Sequence, residues 1–119
     1  MDDLVRFLTA CLDEDERIAR AVEDRSAPWD GQWVADGDNA VRTFNGHVLF
    51  YGHGGPLKPG LVEHVARHDP ARVLREIDAK RRILNTLHEE GGDRMFADIF
   101  RLLALPYADH PDYREEWAP

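Results

Sequence analysis

A single cysteine, Cys11, leaves this chain no internal disulfide. Its neighbours Leu4, Phe7, Leu8 and Leu12 describe a small buried apolar group in a reducing compartment, not a reactive thiol. Serine is equally scarce: Ser26 stands alone, in no G-x-S-x-G setting and with no positioned base in prospect, so a serine esterase is excluded. No apolar run approaches the length that crosses a bilayer, and the opening aspartates carry neither the basic region nor the small-residue cleavage site of a secretory signal. The expectation is a soluble, cytoplasmic protein with no membrane contact. Positive charge is also in deficit, with 15 Lys and Arg against 23 Asp and Glu and a net charge of -8 at pH 7. A phosphate surface repels such a molecule as a whole, which opposes generic adhesion to nucleic acid or anionic lipid unless a local basic face overrides it.

The 119 residues that are present suit one domain, residues 1–119. A chain of this size buries roughly two-thirds of its unfolded surface without help from metal or disulfide. Residues 2–24 place Leu4, Phe7, Leu8, Cys11, Leu12, Ile18 and Val22 three and four apart, the spacing of one helix stripe. Asp13 to Arg17 and Glu16 to Arg20 stand four apart with the acid first, which supports that helix, and the acidic run Asp13 to Glu16 reads as its solvated face. Ser26, Pro28, Asp30 and Gly31 end it.

Residues 32–52 then set short runs rich in valine and aromatics, Trp33 to Ala35, Val41 to Phe44 and His47 to Tyr51, between turn residues. Asn45-Gly46 predicts a type I′ hairpin turn, with positive φ at both positions. A two- or three-stranded antiparallel meander is marginal alone, so it must cover a helix, with Trp29 or Trp33 as the plug. Gly52-His53-Gly54-Gly55-Pro56 reads as a flexible hinge into the remaining helices.

The helical pattern resumes over residues 61–68, 70–90 and 93–105. Asp69 can cap the amides of a first turn and Pro70 suits the first helical position. Val73, Leu74, Ile77, Ile83, Leu84 and Leu87 give the long helix a buried side. Met95, Phe96, Ile99, Phe100, Leu102 and Leu103 make the next helix apolar over more than half its circumference, which predicts a central place. Asp109 is expected to cap a turn over residues 109–117 that sets Tyr113 and Trp117 on one face. The fold class is α+β, mostly helical, with about four helices and the small meander inserted after the first.

Three constellations could carry chemistry. His64 and His68 stand four apart, so both imidazoles can point the same way, as metal-binding helices arrange them. Glu63 precedes the pair where the general base of a zinc protease should follow the first histidine, and spacing does not place His53, His88 or His110 as further ligands. Capping and surface hydrogen bonding are the plainer reading. Arg72, Arg75 and Arg82 share one side of the long helix, with Lys80 and Arg81 adjacent, and such a surface could grip phosphate. Glu76 and Asp78 lie at pairing distance from Lys80, Arg81 and Arg82, so pairing within the molecule, or docking on the acidic face of the first helix, ranks above nucleic acid. Asp109 with His110 could form an acid-base couple, but adjacent residues on a cap segment seldom face one another.

The run ARHDPARVLREIDAKRRIL, the ending RLLALPYADHPDYREEW and the opening DLVRFLTACLDEDER together resemble a family of short actinobacterial and actinophage proteins, a domain of unknown function. The ARHDPARVLRE and YADHPDYREEW motifs carry most of the likeness. The resemblance implies no established activity and suggests bacterial cytoplasm, in a prophage or mobile-element setting. Many relatives of that family carry cysteines and an extra histidine before the PYADHPDYREEW ending. Here the stretch from Leu87 to Phe100 holds His88 and no cysteine, which weakens a family zinc site.

The leading expectation is a non-enzymatic interaction protein, working on a protein partner or by self-association, with no cofactor and no catalytic residue. It rests on the lack of a nucleophile in a recognisable setting, of a phosphate-cradling glycine loop and of a complete ligand set. A nucleic-acid-binding accessory protein using Arg72, Arg75 and Arg82 comes second. A metal-dependent hydrolase at His64 and His68 comes third.

Overall fold

The computed structural model describes residues 2–23, 30–55, 57–91 and 94–119. Among them the chain forms four α-helices and a three-stranded antiparallel sheet inserted between the first and second helices, an α+β fold. It divides into two compact units, Met1–Asp15 with Glu76–Pro119, and Glu16–Arg75. The divisions fall inside α1 (Asp2–Val22) and α3 (Pro70–Glu89), so each of these helices contributes to both units.

Asp2 and Asp3 open α1 at the positive end of its dipole and Arg20 closes it at the negative end. Leu4, Phe7, Leu8, Cys11, Leu12 and Ala19 are buried along one stripe. Ile18, expected on that stripe, is 51% exposed. At about 100° per residue it stands between Phe7 and Cys11, inside the arc of the stripe, so its exposure reflects a lack of cover at that level of the helix and not its angle; Ala19, next along, is buried. Glu16 accepts from Arg20 at 3.2 Å, as the spacing predicts, whereas Asp13 reaches Arg81 of α3 at 2.7 Å.

In the Glu16–Arg75 unit, β1 (Trp33–Asp36), β2 (Ala40–Thr43) and β3 (Val48–Tyr51) pair in chain order. Trp33 opposes Thr43 and Asp36 opposes Ala40. On the other side Val41 opposes Phe50 and Arg42 opposes Val48, which leaves Leu49 as the extra residue of a bulge. The β2–β3 turn is not type I′. Gly46 has φ 100°, but no residue other than glycine has positive φ among the described residues. Gly46 N–H donates to Thr43 O at 3.0 Å and Thr43 N–H to His47 O at 2.8 Å. The hairpin therefore turns through Phe44 and Asn45 and is closed by a left-handed glycine, the usual three-residue loop. Asn45 is held there by contacts that local sequence does not reveal: its N–H donates to Asp30 at 3.2 Å, and its side-chain oxygen accepts from the Thr43 hydroxyl.

The glycine segment after β3 is a strapped turn, not a loose hinge. Gly52 N–H donates to Asn39 O at 2.8 Å and Leu57 N–H to Asp38 O at 3.2 Å. A Cβ on Gly52 would stand 2.7 Å from the carbonyl oxygen of Gly55, a contact no side chain tolerates. The sheet packs on α2 (Leu61–Arg67), where Val41, Val62 and Ala66 form a buried cluster. Trp33, Ala35, Leu49, Phe50, Leu57 and Val65 close over it. Trp33 is thus the plug that the sequence predicts, while Trp29 lies outside the described residues.

Asp69 starts α3. One carboxylate oxygen accepts the Arg72 N–H at 2.8 Å, the bond of an N-cap, with Pro70 as first helical residue. The other accepts the Trp33 N–H at 3.1 Å, which ties the helix start to β1.

In the other unit Ile77 and Leu84 are the buried residues of α3, and Ile83, expected beside them, faces outward. The last helix, α4, spans Ala97–Ala104, shorter than the residues 93–105 expected, since residues 94–96 form a turn and Asp93 lies outside the described residues. Phe100 and Ala104 have no exposure at all. A short 3-10 turn at Leu105–Tyr107 follows, and a second at Glu115–Trp117 ends the chain's regular structure. The tail is not the continuous turn expected over residues 109–117. Pro111 lacks a donor and disfavours helical backbone at His110. The cap falls to His110 instead of Asp109: its Nδ1 accepts the Asp112 N–H at 3.0 Å and its carbonyl accepts the Tyr113 N–H. The Tyr113 and Trp117 rings still meet edge to face at 5.9 Å.

Candidate functional site

The outer side of α4 departs from what a surface helix requires. Its sequence, ADIFRLLA, is apolar over more than half its circumference, with Asp98 and Arg101 on the polar side, so burying Phe100 and Ala104 leaves Ile99 and Leu102 partly outside. Ile99 and Leu102 stand three apart on one face of α4, 39% and 56% exposed; Met95, in the turn before the helix, is 82% exposed, and Leu105, in the turn after it, 48%. Ile83 of α3, 44% exposed, faces the same space. Ile83, Thr86 and Leu87 of α3 and Ile99 of α4 line a shallow groove of about 350 Å³, with the stem of Arg82 at its rim. Large apolar side chains left in water side by side are a feature of interaction surfaces.

Charge sharpens the picture. The unit that carries the groove, Met1–Asp15 with Glu76–Pro119, holds 15 of the 23 acidic and 7 of the 15 basic side chains, the whole of the net charge of -8. The Glu16–Arg75 unit is balanced. At the end of the groove's α3 wall, Glu89 and Glu90 stand at the helix C-terminus, where the dipole already presents partial negative charge.

A second concavity, about 490 Å³, lies between the start of α1 and the tail. Its arginines are matched: Asp3 takes Arg6 at 2.6 Å and Arg114 at 3.2 Å, and Arg114 lies 5.1 Å over the Trp117 ring. Trp117 in turn packs on Phe7 at 5.1 Å, with His110 edge-on to Phe7 at 5.3 Å. Cys11 lines this space as a poor nucleophile, because burial, with Asp15, Glu14 and Asp112 nearby, pushes its thiol up to about 11. Deeper in the unit the Tyr107 hydroxyl donates to Asp15 at 2.6 Å, and burial followed by that bond raises its pKa. The concavity is a clasp of aromatic and paired ionic contacts joining helix to tail.

The residues singled out from the sequence fall in three places. Arg72 and Arg75 belong to the Glu16–Arg75 unit and Arg82 to the other. Arg72 donates to the Arg67 carbonyl at 3.3 Å, and Arg82 pairs with Asp78 at 3.0 Å, one turn away. Arg75 is exposed. His64 and His68 do share a face, with ring centroids 4.3 Å apart, and His68 Nδ1 lies 2.7 Å from the His64 carbonyl. A neutral His68 therefore carries its proton on Nδ1 and offers only Nε2 outward. No group of three His, Cys, Asp or Glu side chains is arranged for a metal among the described residues. No described helix is long and apolar enough to cross a membrane. Sequence reasoning missed the groove, although its signal is visible: residues 95, 99, 102 and 105 repeat outside the inward stripe of residues 96, 100, 103 and 104.

A family model covers residues 1–119, and the chain belongs to that family, a family of unknown function (DUF6221). No curated protein and no solved structure matches it.

Proposed function

We propose that this member of a family of unknown function is a non-enzymatic interaction protein, which works by docking a helix of another protein in the groove between α3 and α4. One observation carries the reading: Ile99 faces Ile83 across the groove, and Leu102 on the same helix and Met95 in the turn before it are left in water. Buried by a partner, each such side chain contributes part of the about 1.5 to 3 kcal/mol of a fully exposed one, in proportion to the surface it still shows, toward offsetting the cost of association. A second copy is a poorer occupant, since two units of charge -8 would repel on approach. The same surplus disfavours nucleic acid, and the pairs Arg82–Asp78 and Arg81–Asp13 engage two of the long helix's five cationic side chains. The motif likeness supports a cytoplasmic, actinobacterial or phage setting for the work.

The test is affinity purification from the native cells with three versions of the full chain, each confirmed folded by circular dichroism. The doubly substituted Ile99→Glu, Leu102→Glu chain should lose a protein that the unaltered chain and Arg75→Glu both retain. Retention by the Ile99→Glu, Leu102→Glu chain would sink the reading, as would loss on Arg75→Glu alone.

A further inference from the structure

We infer that the helix received by the α3–α4 groove is amphipathic with a basic flank, and that its cationic end lies over the C-terminus of α3. This rests on the docking reading above and adds the partner's chemistry and direction. The apolar part of the match follows from spacing. Ile83 and Leu87, one turn apart on α3, face Ile99 of α4 across the groove, and Leu102 on α4 with Met95 in the turn before it extends the α4 side to about two turns, which suits anchors at i, i+3 or i+4, and i+7 of an incoming helix.

The charged part follows from an imbalance that the chain does not relieve by itself. Glu89 is the last residue of α3 and Glu90 follows it, three residues beyond Leu87 and so just past the end of the groove. Carboxylates at a helix C-terminus are unfavourable, because the exposed carbonyls there already carry partial negative charge. Both side chains are exposed, and neither makes an ion pair among the described residues. The surrounding unit deepens the effect: its arginines are largely committed, Arg6 and Arg114 to Asp3, Arg81 to Asp13, Arg82 to Asp78 and Arg101 to Asp98. Lysine or arginine side chains at one end of a docked helix would meet both carboxylates and the carbonyl ends together. An acidic helix, a nucleic acid or a second copy of this unit would add to the repulsion.

The other exposed apolar patch, on the sheet, does not compete as a docking groove. Val34 and Val48 flank Arg42 in one cross-strand row, and Arg42 is paired with Asp36 at 3.1 Å, so charge interrupts that face.

The experiment uses the full chain and fluorescence anisotropy with labelled 16-residue helical peptides: one with leucines at i, i+3, i+4 and i+7 and lysines on the flank, its twin with glutamates for lysines, and a scramble of the first. The basic amphipathic peptide should bind, with affinity at least about tenfold above the acidic twin and the scramble, and weaken as salt rises from 50 to about 500 mM. Glu89→Gln with Glu90→Gln should weaken it about fivefold, and Leu102→Glu more than about tenfold, with circular dichroism unchanged. Equal binding of the basic and acidic peptides would overturn the charge assignment while leaving the groove. Binding of the basic peptide that is indifferent to Leu102→Glu would overturn the groove itself. Equal binding of the scramble means generic adhesion of a polycation and contradicts both, and a dimer in light scattering that Leu102→Glu dissolves gives the face to a second copy.

Discussion

Replacing Asp69 by alanine removes two hydrogen bonds that one carboxylate makes in two directions. The Arg72 N–H loses its cap at 2.8 Å, a change that costs about 1 kcal/mol in helices started by a single capping side chain. The Trp33 N–H, half-buried at the mouth of β1, loses its acceptor at 3.1 Å, and an unpaired donor in such a place costs about 1 to 2 kcal/mol more. Together the loss is about 2 to 3 kcal/mol, or roughly 10 °C in Tm for a chain of this size. Asp69→Ser separates the two bonds, since a hydroxyl reaches the N-cap position but cannot reach both amides, and about half the loss should return. Urea titration and calorimetry give the magnitudes, while hydrogen exchange at the Trp33 amide should accelerate in both variants. If Asp69→Ala stays within about 0.5 kcal/mol of the unaltered chain, or if Asp69→Ser is no better than alanine, the double role assigned to this carboxylate is refuted.

Tyr107→Phe removes a hydroxyl that donates to Asp15 at 2.6 Å in a half-buried site, and should cost about 1 to 2 kcal/mol in urea titration. Phe100→Ala should cost about 3 to 5 kcal/mol, whereas Leu102→Glu, two residues away on the exposed side, should stay within about 0.5 kcal/mol by the same assay. Cys11, with its thiol pushed from 9.0 up to about 11, should react with iodoacetamide at pH 8 about a hundredfold more slowly in the native chain than in urea; equal rates would remove the buried-thiol description. Because Cys11 and Tyr107 both have raised pKa values when folded, their stability contribution is intact below the unfolded values and is lost at alkaline pH, from about 9 through 11 for Cys11. Thermal denaturation at stepped pH should show Tm falling in that window, and less steeply in Tyr107→Phe.

Local chemistry made some elements readable from sequence and concealed others. Asp69-Pro70 states a helix start in two residues, and the structure adds only the second amide that Asp69 holds. Asn45-Gly46 announced the hairpin but not its turn type, since Asp30, fifteen residues away, holds the Asn45 backbone where a type I′ turn cannot form. The stripes of α1 and α3 were legible to within a residue, with Ile18 and Ile83 misplaced because an apolar side chain, even inside a stripe's arc as Ile18 is, is buried only if a neighbour covers it. In α4 the apolar arc is wider than the core can cover: Phe100 and Ala104 take the inward positions, Asp98 and Arg101 the polar side, and Ile99 and Leu102 are left between them, a surplus that periodicity shows but does not assign to core or surface. The arginines and histidines were found where helical spacing put them. Whether Arg82 had a partner, and which nitrogen of His68 was engaged, depended on side-chain geometry that spacing does not carry.

Site-specific photo-crosslinking in the native cells tests the central claim most directly. A benzophenone amino acid at Leu102, on the exposed face of α4, should yield a protein adduct whose crosslinked segment is basic and amphipathic. The same probe at Arg75 should yield none. Adducts at Arg75 with no product at Leu102, or adducts of nucleic acid at either position, would contradict the account.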